Sequence, residues 1–249
     1  AHARHALPRE PADGIGIAIC DAIDNEDLFV LARACGDLPL VTAGSGLALG
    51  LPANVADRLN HRQDAARLEP IAGREAVLSG SCSRATLAQI DHAKQHMPSF
   101  HLDAQALHDD YASVVDAALA CAEAHFQAHA DDDGGPVLIY ASAAPEEVRQ
   151  AQQRLGVQEA GELVERALAD IASELVSRLG VRRLLVAGGE TSGAVVSALG
   201  VQGLRIGESI DPGVPWTTTL GTEAPLALAL KSGNFGATDF MTKAWKLMP

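Results

Sequence analysis

The sequence predicts an α/β fold with a largely parallel sheet flanked by helices, and with some antiparallel strands near the C-terminus. Short aliphatic runs recur along the chain, and each is followed by a turn and an amphipathic stretch with helical spacing. This alternation is typical of parallel strands linked by helices. Near the end, only a short acidic link separates two strand-like runs, VPWTTTLG (214–221) and PLALALKSG (225–233). So short a link predicts the antiparallel members.

Local signals place the elements in chain order. The predicted strands are 15–20, 38–44, 74–81, 135–142, 182–189, 214–221 and 225–233. The predicted helices are 25–35, 84–96, 104–129, 161–180, 191–200 and 237–249. The helix over 161–180 has the clearest signal, because its aliphatic residues form one stripe and Gly180 ends it. We expect Thr191 or Ser192 to cap the helix that Gly200 closes.

Composition limits the class of protein. The chain has 249 residues, of which 47% are hydrophobic and 20% charged, as in globular enzymes. Its net charge of −13 argues against nucleic-acid or anionic-membrane partners, although a local phosphate site is compatible with it. The four cysteines lack CxxC spacing, so we expect reduced thiols without a zinc site, in a cytoplasmic protein. No apolar stretch is long enough to span a membrane.

A polar, charge-rich stretch at about 57–74 interrupts the rhythm of strands and helices. It predicts a domain boundary, with one domain over 1–72 and a second over 73–249. The first part offers only two convincing strands, which is few for a domain.

Three segments share a design in which a strand leads through a turn rich in Gly and Ser into a helix. They are VTAGSGLA (41–48), LSGSCSRAT (78–86) and VAGGETSGA (186–194). Glycines let backbone N–H groups approach an anion, and a helix N-terminus adds unpaired donors and partial positive charge. The same residues are also ordinary in exit turns and helix caps, so a phosphate site and a purely structural role remain about equally favoured. The P-loop, GxGxxG and GxSxG motifs are missing from the sequence.

Three single residues have two interpretations each. Glu190 could help to hold Mg²⁺ or accept hydrogen bonds from a ribose or base, or it could be a capping carboxylate. Lys231, in the fourth glycine loop LKSGNFG (230–236), is a candidate phosphate contact or a surface lysine at a strand end. Trp216 either walls a pocket or fills the core, and the core is favoured.

Taken together, the motifs resemble the four-carbon acid sugar kinases, a family that includes 3-oxo-tetronate, D-threonate and D-erythronate kinases. Three segments resemble its C-terminal nucleotide-binding domain: VLSGSCSRATLAQI (77–90), LLVAGGETSGAVVSALGVQGLRIGESIDPGVPW (184–216) and LALALKSGNFGATDF (226–240). Two more, DAIDNEDLFVLARAC (21–35) and LVTAGSGLALGLP (40–52), resemble the end of its N-terminal, substrate-binding domain. The ordered series covers most of residues 15–243 and is more specific than any single glycine turn.

The resemblance implies a kinase that moves the γ-phosphoryl group of ATP, with Mg²⁺, to a hydroxyl of a tetronate or 3-oxo-tetronate. It implies that the following residues form the ATP site: Ser81, Ser83, Gly188, Gly189, Glu190, Thr191 and Gly233. No residues of this chain are assigned as metal ligands. A homodimer is expected as one possible assembly. The family's Asp-Asp-x-Thr-Gly motif, which is implied in substrate binding or hydroxyl activation, does not occur in this sequence, so no catalytic residue is assigned. A nucleotide-binding fragment without kinase activity and an NAD-dependent oxidoreductase are the alternatives.

Overall fold

The computed structural model describes residues 19–56, 66–129 and 134–248. The chain divides into two compact units, residues 1–63 and 64–249. In the first unit, helix α1 (Asn25–Ala34) begins where the Asp24 side chain accepts a hydrogen bond from the N–H of Asp27. Two 3₁₀ turns follow, Ser45–Leu49 and Leu51–Asn54.

Neither strand predicted for the first unit is found among the described residues. The prediction for 15–20 falls mostly outside them, since only residues 19 and 20 are described, and these are not in a strand. The prediction of a strand over 38–44 is wrong, because that segment is irregular. A strand needs a neighbour for its backbone hydrogen bonds, and the described part of this unit supplies no other extended segment.

The second unit is built on a seven-stranded sheet with the order β2-β3-β1-β4-β7-β6-β5. Its strands are β1 (Arg74–Ser79), β2 (Ser99–His101), β3 (Val137–Tyr140), β4 (Val181–Ala187), β5 (Leu204–Asp211), β6 (Val214–Thr219) and β7 (Ala227–Lys231). The first five strands in this order, β2-β3-β1-β4-β7, pair in parallel with their neighbours. β6 is antiparallel to both of its neighbours, β7 and β5. This confirms the predicted α/β class, including the antiparallel strands near the C-terminus.

The helices of this unit are α2 (Arg84–Ala93), α3 (Ala104–Asp109), α4 (Tyr111–Ala128), α5 (Pro145–Leu155), α6 (Val157–Ser177), α7 (Gly189–Ala198) and α8 (Phe240–Lys243), the last followed by a 3₁₀ turn at Ala244–Leu247. The predicted helix over 104–129 is two helices, because the Asp110 side chain accepts from the N–H of Ser113 and starts a new one. Strands β2 and β5 and helix α5 were not predicted. β2 has three residues, too few for a pattern to show. The α5 segment does carry a helical signal that the prediction missed, with Pro145 at its start and Val148, Ala151 and Leu155 on one face.

Alternating side chains of the strands fill two hydrophobic layers, one on each face of the sheet. On one face, Leu78 and Val186 pack with α4, α6 and α7. On the other, Val77 and Leu185 pack with α2 and α8. Trp216 belongs to the second layer, where it is 1% exposed and its Nε1 donates to the carbonyl of Ala244 at 2.9 Å. The interpretation of Trp216 as a core residue is therefore confirmed.

The topology opens a crevice at one edge of the sheet. β1, β3, β4 and β7 are parallel, so their carboxyl ends and the loops that leave them lie at the same edge. β1 leads into α2 on one face, whereas its neighbour β4 leads into α7 on the opposite face. Ligands of open α/β sheets bind where adjacent strands diverge in this way.

Candidate functional site

The loops that leave β1 and β4 are joined by backbone hydrogen bonds. The N–H groups of Gly80 and Ser81 donate to the carbonyl of Ala187 at 3.0 and 3.3 Å. Gly188 follows with φ of +134°, a conformation that L side chains rarely adopt. A Cβ at this position would lie 2.7 Å from the hydroxyl oxygen of Thr191. The crossing of the two loops therefore requires glycine at 188.

Helix α7 begins directly after this crossing. The prediction that Thr191 or Ser192 caps it is wrong, because the helix starts at Gly189 and Gly188 is the N-cap, without a side-chain cap. The left-handed freedom of Gly188 lets the chain turn from strand to helix within one residue. The N–H groups of the first turn thus have no acceptor in a side-chain cap and can donate to another group, and the helix dipole favours an anion there.

The loop after β7 closes on the same place. The N–H of Gly188 donates to the carbonyl of Lys231 at 2.8 Å, and the hydroxyl of Ser83 donates to the carbonyl of Gly233. A Cβ on Gly233 would lie 2.6 Å from the Ser81 hydroxyl oxygen. Three of the four glycine-rich turns singled out from the sequence, those after β1, β4 and β7, therefore meet at one edge of the sheet.

Lys231 has an unexpected environment. Its side chain is fully buried, so the interpretation as a surface lysine is wrong. The ammonium donates to the hydroxyl of Thr86 at 2.9 Å and to the carbonyls of Ser232 and Gly233 at 3.2 and 3.0 Å. Burial lowers the pKa of Lys231 to about 8. A strand-end lysine folds inward here because the turning loop offers its carbonyl oxygens as acceptors.

A cavity of about 380 Å³ lies beside the meeting loops. Five of the predicted site residues line it: Ser81, Gly188, Gly189, Glu190 and Thr191. A Cβ on Gly189 would meet no atom within 4 Å, so the backbone of this residue borders open space. Ser83, Lys231 and Gly233 do not line the cavity and lie behind it, in contact with the loop that carries Ser81.

The opposite wall of the cavity was not predicted. It comes from the end of β2, the loop after β3, and helices α5 and α6. Its apolar members are Leu102, Ala104, Ala141, Ala143, Val148, Ala151, Val157, Ala160 and Val164, and its polar ones are His101, Asp103, Glu147, Gln152 and Glu165. The sequence does carry one signal for it. ASAAPEEV (141–148) follows β3 and has proline at the start of a helix, the same strand–turn–helix design without the glycines.

The two walls differ in charge. Burial raises the pKa of Glu165, and the nearby carboxylates of Glu190 and Glu162 raise it further. Glu165 and Glu190 thus form a like-charged pair at the cavity. Carboxylates suit the binding of hydroxyl donors or cations, whereas the N–H groups of the glycine loops suit anions. Within the described ranges, no group of three or more His, Cys, Asp or Glu side chains is arranged to hold a metal ion.

Comparison with known proteins bears directly on this edge of the sheet. The model of the nucleotide-binding C-terminal domain matches residues 76–241, which span β1 to α8. The chain belongs to this family. Its glycine loops are thus those of a nucleotide-binding fold, and no GxGxxG or P-loop motif is present in them.

Curated relatives and solved structures agree with that assignment. A 3-oxo-tetronate kinase of Burkholderia multivorans is 54% identical over all of this chain and 56% of its own length. A crystal structure from Salmonella typhimurium LT2 has a TM-score of 0.75 and 36% identity, over 99% of this chain and 56% of that one. A Bordetella bronchiseptica structure, a domain-swapped dimer with bound citrate, has a TM-score of 0.54 and 26% identity, over 94% and 53% of the two chains.

These matches confirm the resemblance to the sugar-acid kinases. The chain spans about half the length of the curated relatives that it matches. The helices of the described residues include none that is both long and apolar enough to cross a membrane.

Proposed function

We propose that the protein carrying this chain is an ATP-dependent kinase that phosphorylates a hydroxyl of a four-carbon sugar acid, a tetronate or 3-oxo-tetronate. The observation that carries the proposal is the meeting of three glycine-rich turns beside an open cavity, at the switch point of a nucleotide-binding fold. Close relatives are named 3-oxo-tetronate kinases, which supports a four-carbon sugar acid as the acceptor of the phosphoryl group. ATP and small acids of this kind are cytoplasmic metabolites, so we propose a cytoplasmic location.

The phosphates of ATP would bind at the glycine wall. The uncapped first turn of α7 supplies N–H donors from Gly189, Glu190 and Thr191, and Ser81 lines the same cavity. Ser83 and Gly233 would complete the site from behind, since they fix the loop that carries Ser81. The direct phosphate contact predicted for Lys231 is not proposed, because its three donors are used within the protein.

The nucleoside would bind at the helical wall. The apolar side chains of Val148, Ala151 and Val164 offer a surface for a base, and the carboxylates of Glu147 and Glu165 can accept from ribose hydroxyls. This arrangement keeps the phosphates away from Asp103, Glu147 and Glu165 of the helical wall, where Coulomb repulsion would weaken binding, and leaves Glu190 as the carboxylate at the phosphate end. The distribution of charge thus favours one orientation of the nucleotide.

Mg²⁺ would arrive with ATP, and Glu190 is the carboxylate at the phosphate end that fits its preference for oxygen ligands. When bound, it neutralises charge on the phosphates. The residues of this chain position the phosphates and offer fixed N–H dipoles to the developing charge, which is how most phosphoryl transfer is catalysed. In the transfer, the acceptor hydroxyl oxygen would bond to the γ-phosphorus as the bond to the β-phosphate oxygen breaks, the hydroxyl proton would pass to a base outside the residues assigned here, and ADP would leave.

We further propose that residues 1–72 are the end of a substrate-binding domain and 73–249 the nucleotide-binding domain. The first unit supports this, since Ala32 and Leu47 are the buried hydrophobic residues of its described part. Nine large apolar side chains there are exposed: Ile19, Ile23, Phe29, Val30, Leu38, Leu40, Leu49, Leu51 and Val55. Such a surface is expected of a segment that packs against further protein. The residues that bind the acid and activate its hydroxyl would belong to that domain.

A homodimer is proposed for the whole protein, because the Bordetella bronchiseptica structure is a domain-swapped dimer. Light scattering measures this directly, and a mass of one chain would contradict it.

Phosphate transfer tests the main proposal. The whole protein, incubated with ATP labelled at the γ-phosphate and Mg²⁺, should transfer label to a 3-oxo-tetronate or tetronate and to no six-carbon sugar. If it binds ATP but labels no four-carbon acid, the kinase assignment is wrong and nucleotide binding alone remains. That second candidate has one observation in its favour, since the chain covers only about half of each kinase that it matches.

A further inference from the structure

Lys231 is a fully buried cation, and none of the ion pairs among the described residues includes it. Burial of a charge lowers stability unless hydrogen bonds compensate for the lost water. The atoms that surround its ammonium are uncharged: the Thr86 hydroxyl of α2 and the carbonyls of the loop after β7. A charge kept at such a place suggests a role other than stabilising the fold.

The ammonium is fully used by the protein. An ammonium has three N–H donors, and Lys231 directs them to Thr86, Ser232 and Gly233 at 2.9 to 3.2 Å. The side chain also does not line the cavity. A direct bond to a bound phosphate would break one of these contacts.

The hydrogen bonds of Lys231 set the direction of two peptide groups. The described chain has no cis peptide bond, and in a trans peptide the C=O and N–H point to opposite sides. The carbonyls of Ser232 and Gly233 point to Lys231. The N–H groups of Gly233 and Asn234, which belong to the same two peptide planes, are therefore directed away from it.

A second buried side chain acts on the same loop. Gln89 of α2 is fully buried, and its Nε2 lies 2.9 to 3.0 Å from the carbonyls of Phe235, Gly236 and Ala237. Two interior side chains thus hold most of the carbonyls of one glycine loop. The loop is also bonded through an N–H group, since that of Ala237 donates to the Asp211 carboxylate at 2.8 Å.

We propose that Lys231 is a positioning residue of the nucleotide site, whose buried ammonium holds the loop after β7 against Thr86 and thereby fixes the loop that carries Ser81 at the wall of the cavity. The inference rests on the proposed nucleotide site and replaces the direct phosphate contact with an indirect role. Lys231 acts through the backbone and through Thr86, the residue that joins the β7 loop to α2.

A double-mutant cycle tests this in the whole protein, with calorimetry of Mg-ADP as the measurement. Lys231→Met should weaken binding at least tenfold, and Thr86→Val, which cannot remove a phosphate ligand, several-fold. Because both variants free the same loop, the double variant should bind no more weakly than Lys231→Met alone. Lys246→Met, at an exposed lysine, is the control and should bind like the wild type.

The outcomes separate this inference from the function on which it rests. Losses that multiply in the double variant, or wild-type affinity in Lys231→Met, would overturn the positioning role. If the wild type itself binds no nucleotide, the proposed function fails. If Lys231→Met does not fold, Thr86→Val still decides, because unchanged affinity in that variant contradicts the proposal.

Dependence on pH supplies a readout that a structural role alone would not move. The pKa of Lys231, about 8 in the fold, is below its ordinary value, so the unfolded chain binds more protons between the two values. The free energy of unfolding of the wild type, measured relative to that of Lys231→Met, should therefore rise from pH 8 upward. The affinity of the wild type for Mg-ADP should fall over the same range, because the ammonium loses its proton. A stability difference without any affinity difference would contradict the positioning role.

Discussion

The two walls of the cavity are built by different means. The glycine wall consists of backbone at the ends of β1 and β4, with the loop after β7 behind it, and a Cβ on Gly188 or Gly233 would collide with its neighbours. The helical wall consists of side chains on α5 and α6, some apolar and some acidic. Backbone donors recognise an anion of any origin, whereas side chains on the second wall can select what the anion is attached to. The comparison predicts that the walls divide the ligand into phosphate and nucleoside.

The largest effect is expected from Gly188→Ala. Its φ of +134° adds backbone strain of about 1–3 kcal/mol for a side-chain residue. The new Cβ would also meet Thr191 at 2.7 Å, at the crossing of two loops. The melting temperature should fall by several degrees, and Mg-ADP binding should become undetectable by calorimetry. Unchanged affinity would show that the loop crossing is irrelevant to the ligand.

Gly189→Val separates binding from folding. Here a Cβ meets no atom within 4 Å, so the side chain projects into open space at the cavity. We expect at least a hundredfold loss of affinity for both ADP and inorganic triphosphate, with a melting temperature close to that of the wild type. Full affinity for triphosphate would remove the phosphate role of this wall.

Ala151→Leu tests the opposite wall. Ala151 is a partly buried residue of α5 that lines the cavity, and a larger side chain would occupy the space proposed for the base. ADP should bind about tenfold more weakly, while inorganic triphosphate should bind as it does to the wild type. Equal losses for the two ligands would mean that the walls do not divide the nucleotide as proposed.

The smallest effect is expected from Glu165→Gln. Because the pKa of Glu165 is raised in the fold, its ionised form is disfavoured there, and the charge lowers stability at neutral pH. The variant should melt higher at pH 7, by roughly a degree or two given partial exposure. The difference should disappear in acid, where the carboxyl is protonated in both states. A lower melting temperature at pH 7 would contradict the proposed repulsion between Glu165 and Glu190.

The same contrast decides what the sequence could predict. Glycines, serines and the helix after each strand carry local signals, so the sequence singles out Ser81, Gly188 and Gly189, which line the cavity. Their binding of ATP stays a prediction. The helical wall depends on long-range packing, and its helix α5 is mostly polar and buries no residue, so its few apolar residues do not reveal that they line a cavity. Lys231 shows the limit most clearly, since nothing local in LKSGNFG indicates that this lysine turns inward toward Thr86. The strand predicted over 38–44 failed for a related reason, because a strand requires a partner that local sequence does not supply.

Calorimetric titration of the whole protein with Mg-ATP, Mg-ADP and NAD tests the central claim most directly. The account predicts one adenine nucleotide bound per chain, a clear preference over NAD, and the loss of that binding in Gly189→Val with the fold intact. Absence of Mg-ATP and Mg-ADP binding, or equal binding by the Gly189→Val variant, would contradict it.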